Sequence, residues 1–253
     1  MKNRPVPGIV ELIEHYNLEV DVNKRELVIA MWAAGIIRFA GEEEEGFRWQ
    51  LHRPGRFPEA SLSPMKIEFR SADTDKERHA IVGLLKLKAG KVIGDYVRQE
   101  KLTPPQLVCG VPNVGMTVAA GLVQYWPSVS QPPRFFAGLR KLNDEISLNP
   151  LANWPNNAEV MLVDDVLSHA DSKLQAINIL KGRASVKAIA VLVDYQLGGQ
   201  AKLESAGVKV LAVMHATELL NTLVDDNLIP WSTHSRCLRW FEEIRQLTAA
   251  VRA

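Results

Sequence analysis

The chain has little that would tie it to an oxidising exterior, a membrane or a polyanion. Its 253 residues hold two cysteines, Cys109 and Cys237. They lie far apart and match no metal-ligand spacing, so a reduced, cytoplasmic setting is expected. No apolar run reaches the roughly 18 residues of a membrane span. The opening Met-Lys-Asn-Arg-Pro-Val-Pro-Gly lacks the apolar core of a signal peptide. The formal net charge is +1, too small for a global field that recruits nucleic acid or acidic lipid. There is no internal repeat and no low-complexity tract. What remains is ordinary globular composition, 47% hydrophobic and 23% charged. The length suits one large domain, or one domain with a smaller lobe.

The pattern along the chain alternates. Residues 8–20 fit a short helix. Residues 23–39 fit a stronger one, with Asn23 as N-cap and Leu27, Val28, Met31, Trp32 and Ala34 as its apolar stripe. Residues 40–60 are polar, carry an acidic run (Glu42 to Glu45) and read as an exposed loop or hairpin. Residues 65–70 alternate like a half-buried strand. Residues 75–100 predict a helix buried through Ile81, Leu84, Leu85, Leu87 and Val92. Strands follow at 107–112 and 134–139, with a helix at 115–125 between them. Residues 142–158 read as a loop. The last third gives strands at 160–163, 186–193 and 208–214, each followed by a helix, and a terminal helix near 235–250. This order predicts βαβ units around a mostly parallel sheet.

The most informative stretch runs from Val160 to Ser172. Four apolar residues, Val160 to Val163, suit a buried parallel strand. Asp164 and Asp165 then stand at its C-terminal end, where open α/β sheets bind ligands. A short polar loop leads into a helix N-terminus, a natural place for a phosphate. Carboxylates for sugar hydroxyls beside a phosphate loop suggest a phosphorylated sugar. An apolar-Asp-Asp strand also opens phosphoacceptor receiver domains, but there it comes early in the chain, not after about 160 residues.

This stretch resembles the phosphoribosyl diphosphate (PRPP) motif of type I phosphoribosyltransferases. More of the chain resembles the orotate branch of that family. Glu26 to Phe39 is similar to its first helix and the turn after it. Leu62-Ser63-Pro64 followed by Ile67-Glu68-Phe69-Arg70 resembles its Ser-Pro strand. Gly110 to Gly115 resembles its Gly-rich core turn, and Arg140-Lys141 its Arg-Lys pair. Val193 to Gly199, then Leu203-Glu204 and Gly207-Val208-Lys209, resembles its tail. The likeness runs in order from about residue 24 to 223.

The resemblance implies an α/β phosphoribosyltransferase-like fold: a mostly parallel sheet flanked by helices, with a small N-terminal hood. It implies a single domain over 1–253, with the hood to about residue 70, the core at about 71–223 and a C-terminal helix from about 224. It implies transfer of the 5-phosphoribosyl group from PRPP to a pyrimidine-type base, orotate in the family's pyrimidine biosynthesis, and a homodimer. PRPP would meet Arg140, Lys141, Asp164, Asp165, Ser168, His169, Ala170, Asp171 and Ser172. Asp164, Asp165 and Lys141 would be catalytic. The base would lie against Tyr195, Ser168 and Asn113. Mg²⁺ would come with PRPP and reach the protein, if at all, through Asp164 and Asp165.

Four departures from the family pattern carry a physical cost. The phosphate loop reads Ser168-His169-Ala170-Asp171-Ser172, with Ala170 where the family has Gly and Asp171 beside it. Gly tolerates positive φ and close approach, and Ala does so poorly. Two like charges about 4 Å apart at an effective dielectric of about 20 cost on the order of 4 kcal/mol. That is roughly a thousandfold in affinity; a protonated His169 would offset part of it. The clamp after Arg140-Lys141 turns acidic and apolar through Leu142, Asn143, Asp144, Glu145 and Ile146. Tyr195 replaces the arginine that grips the orotate carboxylate, which removes a bidentate clamp but leaves a ring on which a base could stack. Residues 40–60 are longer than usual, and Asn113-Val114 replace the residues common after the core strand. Arg56, Lys66 or Arg70 would have to supply substrate charge.

Two further readings stay open on this fold. One is a regulatory protein that binds a nucleotide or sugar phosphate without turnover. The other is a partner subunit that presents Trp231, Trp240 and Phe241 to another chain, although burial in the core is the commoner fate of such residues.

Overall fold

The computed structural model describes residues 23–41, 44–48, 60–69, 76–102, 106–126, 133–143, 145–155 and 157–250. The predicted helix at 8–20, most of the acidic 40–60 segment, Arg56, Arg70 and Asp144 lie outside them.

Helix α1 (Lys24–Ala33) starts as the sequence suggests. The Asn23 side chain accepts from the Glu26 amide, and the Glu26 carboxylate accepts from the Asn23 amide, both at 3.0 Å. It stops earlier than expected, because Gly35 turns the backbone to φ 68°. Residues 37–39 are instead strand β1 (Ile37–Phe39), paired antiparallel with β2 (Met65–Ile67). This small hairpin and α1 sit over the core.

Helix α2 (Lys76–Gln99) precedes β3 (Leu107–Gly110), α3 (Val114–Gln124) and β4 (Arg134–Phe135). A two-stranded antiparallel hairpin follows, β5 (Leu139–Leu142) and β6 (Glu145–Leu148). This corrects two expectations. The strand expected at 134–139 is two short strands, and the loop expected from 142 holds β6, whose Ile146 is buried while Glu145 is exposed. Next come β7 (Ala158–Leu167), α4 (Asp171–Leu180), β8 (Ala184–Asp194), α5 (Gly199–Ser205), β9 (Lys209–His215), α6 (Ala216–Asp225) and α7 (Trp231–Ala250).

Five strands form one parallel sheet in the order β4-β3-β7-β8-β9. After β3 the chain moves to one side, to β4; it then returns past β3 to add β7, β8 and β9 on the other. The switch point therefore lies between β3 and β7, where such sheets open a ligand crevice at their C-terminal ends. Two apolar clusters cover the sheet's faces. One joins α1, α2, α3, α6 and α7 to the hood hairpin; the other lies under α4, α5 and the β5–β6 hairpin.

Helices α2 and α3 cross at a distance only glycine permits. A Cβ on Gly90 would sit 2.0 Å from the Val118 carbonyl oxygen, and one on Gly121 would sit 2.3 Å from that of Leu87. Beside this crossing Lys88 is buried, its ammonium 4.9 Å from the centre of the Tyr125 ring. At the C-terminus, Trp240 and Phe241 belong to the core, while Trp231 stays exposed. Arg236 of α7 donates to the carbonyls of Ala40 and Gly41, and the Trp240 indole donates to Ser61 O at 2.9 Å. The last helix thus fastens the hood to the sheet.

A side chain at Gly121 must push α2 and α3 apart. Gly121→Ala is expected to cost roughly 1–3 kcal/mol, as overpacking does. Thermal unfolding should show a midpoint lower by about 2–10 °C. Gly83→Ala, on the same α2 but with nothing within 4 Å of the added Cβ, should instead be neutral or stabilising. Equal effects at the two positions would refute the close-crossing account.

Candidate active site

The crevice forms because β3 runs out before β7 does. Pairing between them ends at Gly110 opposite Val163; from Asp164 to Leu167, β7 is paired only with β8. The acid pair therefore sits inside a longer strand than the sequence suggests, on the part freed from its β3 neighbour. The turn after β3 folds back onto this place. Val111 N–H donates to Val163 O at 2.9 Å, and the Pro112–Asn113 peptide bond is cis. A Cβ on Gly115 would stand 2.4 Å from Val163 O and 3.0 Å from Asp164 Oδ1, so only glycine lets the turn close here.

The resulting cleft measures about 480 Å³. Its walls come from the hood (Arg48, Lys66, Ile67, Glu68 and Phe69), the β3 turn (Pro112, Asn113 and Val114), the β5–β6 hairpin (Lys141), and the β7 end with its following loop and helix. Among the expected site residues, Asn113, Lys141, Asp164, Asp165, Ser168, Ser172 and Tyr195 meet in this cleft, and so does Lys66. Arg140, His169, Ala170 and Asp171 do not line it.

Each of those four has a definite place elsewhere. Arg140 precedes Lys141 on β5, so the pleat turns it the opposite way; its Nε donates to Ser147 Oγ at 3.3 Å. His169 is buried, with Nδ1 3.1 Å from Leu197 O; Lys202 Nζ donates to its carbonyl at 3.2 Å. Ala170 adopts the left-handed conformation (φ 67°, ψ 11°) as the residue before α4. The loop thus keeps the turn a glycine would make easily. Asp171 opens α4 and faces a separate hollow, beside Glu145, Ile146 and Leu174. Asp171 is not among the residues that line the cleft.

Tyr195 is buried at the end of β8. Its hydroxyl accepts from Ile67 N–H at 3.0 Å, and its ring packs edge-on against Phe241, 6.0 Å between centroids. Burial raises the phenol's pKa, which keeps it protonated. Tyr195 thus joins hood, sheet and α7 at the cleft floor. Asp194, just before it, accepts from Gln196 N–H at 2.8 Å, and burial raises its pKa.

Lys173 is the residue the sequence did not flag. It lies in the first turn of α4, where the helix dipole disfavours a cation. Its side chain is 7% exposed and its Nζ lies 2.5 Å from Asp164 Oδ2 and 2.6 Å from Val166 O. The other oxygen, Asp164 Oδ1, accepts from Asp165 N–H at 3.0 Å. Asp164 is therefore committed on both sides. Asp165 is half-buried, accepts from Val166 N–H at 2.8 Å, and has its pKa pushed up to about 7 by burial and by the Asp164 carboxylate. The wall's four cationic side chains (Arg48, Lys66, Lys141 and Lys173) outnumber its three carboxylates (Glu68, Asp164 and Asp165); Lys66 pairs with Glu68 at 3.1 Å and Lys173 with Asp164, and Asp165, with its pKa near 7, carries only part of a charge at neutral pH. That balance suits an anionic ligand.

The divalent ion implied by the sequence resemblance does not fit at Asp164. Lys173 holds the oxygen that would face it, and an ammonium repels a dication at that distance. Among the described residues no group of three or more His, Cys, Asp or Glu side chains could hold a metal ion.

Two expectations follow. Asp165 ionises near pH 4 in the unfolded chain but near 7 in the folded one. Between about pH 4 and 7 the unfolded chain therefore binds fewer protons, and stability falls as pH rises through that window. Asp165→Asn should flatten the fall in denaturant titrations, leaving a smaller slope of the same sign from Asp194; an unchanged slope would contradict the assignment. Ala170→Gly relieves a left-handed alanine and should stabilise the fold by up to about 1 kcal/mol. A loss of stability would show that the turn is not as described.

No protein-family profile matches the chain. A curated relative, the orotate phosphoribosyltransferase of Sulfolobus acidocaldarius, is 38% identical over 72 residues, 28% of this chain and 36% of that protein. The chain thus spans about a third of that relative's length. Among solved structures, Leishmania donovani UMP synthase superposes with a TM-score of 0.65 at 20% identity, over 87% of this chain and 42% of that one. Francisella tularensis orotate phosphoribosyltransferase gives a TM-score of 0.56 at 13% identity, over 87% of this chain and 96% of that one. No helix among the described residues is long and apolar enough to cross a membrane. The chain therefore has the fold of the type I phosphoribosyltransferases, and within that fold its likeness runs to the orotate enzymes.

Proposed function

We propose that the cleft binds a 5-phosphoribosyl group and that the chain is a divergent phosphoribosyltransferase of the orotate type, acting on PRPP and a pyrimidine-type base. One observation carries this reading. Asp165, the two serines Ser168 and Ser172 that bracket the loop into α4, and the cations Lys141, Lys66 and Arg48 converge on one cleft at the sheet's switch point. The loop and helix end suit the 5-phosphate. Asp165 suits the ribose hydroxyls. The cations suit the diphosphate and an acidic base, and Asn113 and the edge of Tyr195 border the space left for that base.

In the reaction the C1–oxygen bond to diphosphate breaks, the leaving diphosphate takes the electron pair, and a base nitrogen forms the new bond to C1 as its proton is released to solvent. The protein's part is positioning and charge: it holds the ribose, neutralises the leaving group and excludes water. A divalent ion would enter on the diphosphate, not at Asp164. The exposed Leu142 on the hairpin and Leu151 after it are apolar surface that a second copy of the chain would cover, in keeping with a homodimer.

A second reading has its own support. The Asp164–Lys173 lock and the acidic and apolar residues that follow Lys141 on the β5–β6 hairpin favour a protein that binds nucleotide or sugar phosphate without turnover.

Calorimetry with PRPP, with and without Mg²⁺, tests the cleft; pyrophosphate release over a panel of bases tests the chemistry. Binding in the micromolar to millimolar range is expected, with release in the presence of a pyrimidine base and loss of both in Lys141→Ala. Binding without release for any base would select the second reading. No heat up to millimolar PRPP would overturn the enzyme reading.

A further inference from the structure

Lys173 gives the acid pair something that a divalent ion would otherwise supply. Its ammonium is buried in the protein, fixed between Asp164 Oδ2 and the Val166 carbonyl, and it lines the ligand cleft. It cannot swing away cheaply: the carboxylate it leaves would be a buried, unpaired charge, and Asp164 is itself held by the Asp165 amide. A metal ion would have to displace this ammonium to reach Asp164, then tolerate it as a neighbour.

We propose that Lys173 is the counter-charge of this site, so that the ribose 5-phosphate moiety binds in the cleft without a divalent metal ion. This rests on the reading of the cleft given above and sharpens it: the ribose side is metal-independent whatever accompanies a diphosphate. The tethered ammonium cancels Asp164, Asp165 meets the sugar hydroxyls, and the phosphate sits on the loop from Ser168 to Ser172. Lys173 is thereby a positioning residue. It acts on the sugar through Asp164 and Asp165, and it sets which form of the ligand the site prefers.

The test uses ribose 5-phosphate as probe and the full chain, by calorimetry, in excess EDTA and again in excess Mg²⁺. The wild-type chain should bind with the same affinity in both, within about twofold. Lys173→Met, similar in size and uncharged, should bind at least about tenfold more weakly in EDTA, as loss of one partner of a buried charge pair does, and Mg²⁺ should restore part of that loss. Lys173→Arg, which keeps the charge, should stay metal-independent. Because the readout is the ratio between EDTA and Mg²⁺, a general loss of folding cannot imitate it. Wild-type binding that needs Mg²⁺ overturns this inference alone and leaves the cleft reading standing. Lys173→Met equally weak in both buffers, while Lys173→Arg binds normally, also overturns it, since the charge would then act by holding the fold. No binding by the wild-type chain in either buffer removes the cleft reading, and this inference with it.

Discussion

Everything at the site depends on β7 losing one neighbour at Val163 while keeping the other. Buried parallel strands are normally paired on both sides, and their polar groups are then used up. Here the β3 turn closes over Gly110 and Gly115 so tightly that a single Cβ would block it. Four residues of β7 remain held by β8 and open on the other side. That arrangement places two carboxylates on a rigid strand, in the apolar interior, at the edge of solvent. A loop could not hold them so firmly, and a fully paired strand could not expose them.

Once the acids are there, their charge must be met. Asp164 is met by Lys173, while Asp165 is relieved by retaining its proton to near neutrality. The two solutions differ in kind, and they give neighbouring aspartates different parts. One is a fixed element of the structure. The other keeps the capacity to exchange a proton or a hydrogen bond with whatever enters. Tyr195 works in the same direction, since at the edge of the cleft its hydroxyl holds Ile67 and its ring holds Phe241.

The alternation of strands and helices was legible because apolar period and turn residues change together along the chain. Asn23 announced α1, and Gly182, at φ 79°, marks the turn between α4 and β8. The elements that escaped were set by tertiary contacts. Asp164 and Asp165 argue against a strand by local preference, and pairing with β8 overrides them. Strand β6 is four residues long, set between an Asn-led turn and an Asn-Pro stretch, so its alternation is easily missed. The loop from Ser168 to Ser172 shows the limit most clearly. Its letters gave a carboxylate and a histidine where a phosphate was expected, but not their places; neither His169 nor Asp171 lines the cleft, and the nearby Lys173 does. A lysine in the first turn of a helix was the available signal, since the helix dipole disfavours it there.

Arg236 and Trp240 reach back across roughly 180 to 195 positions to hold Ala40, Gly41 and Ser61. The hood wall of the cleft is therefore made early in synthesis and secured late. A chain emerging from the ribosome can form much of the parallel sheet before α7 exists, but not a closed crevice. The acid pair stays accessible until the final helix docks, so a truncated product would bring Asp164, Lys173 and Asp165 together while lacking the clasp that holds the hood over them.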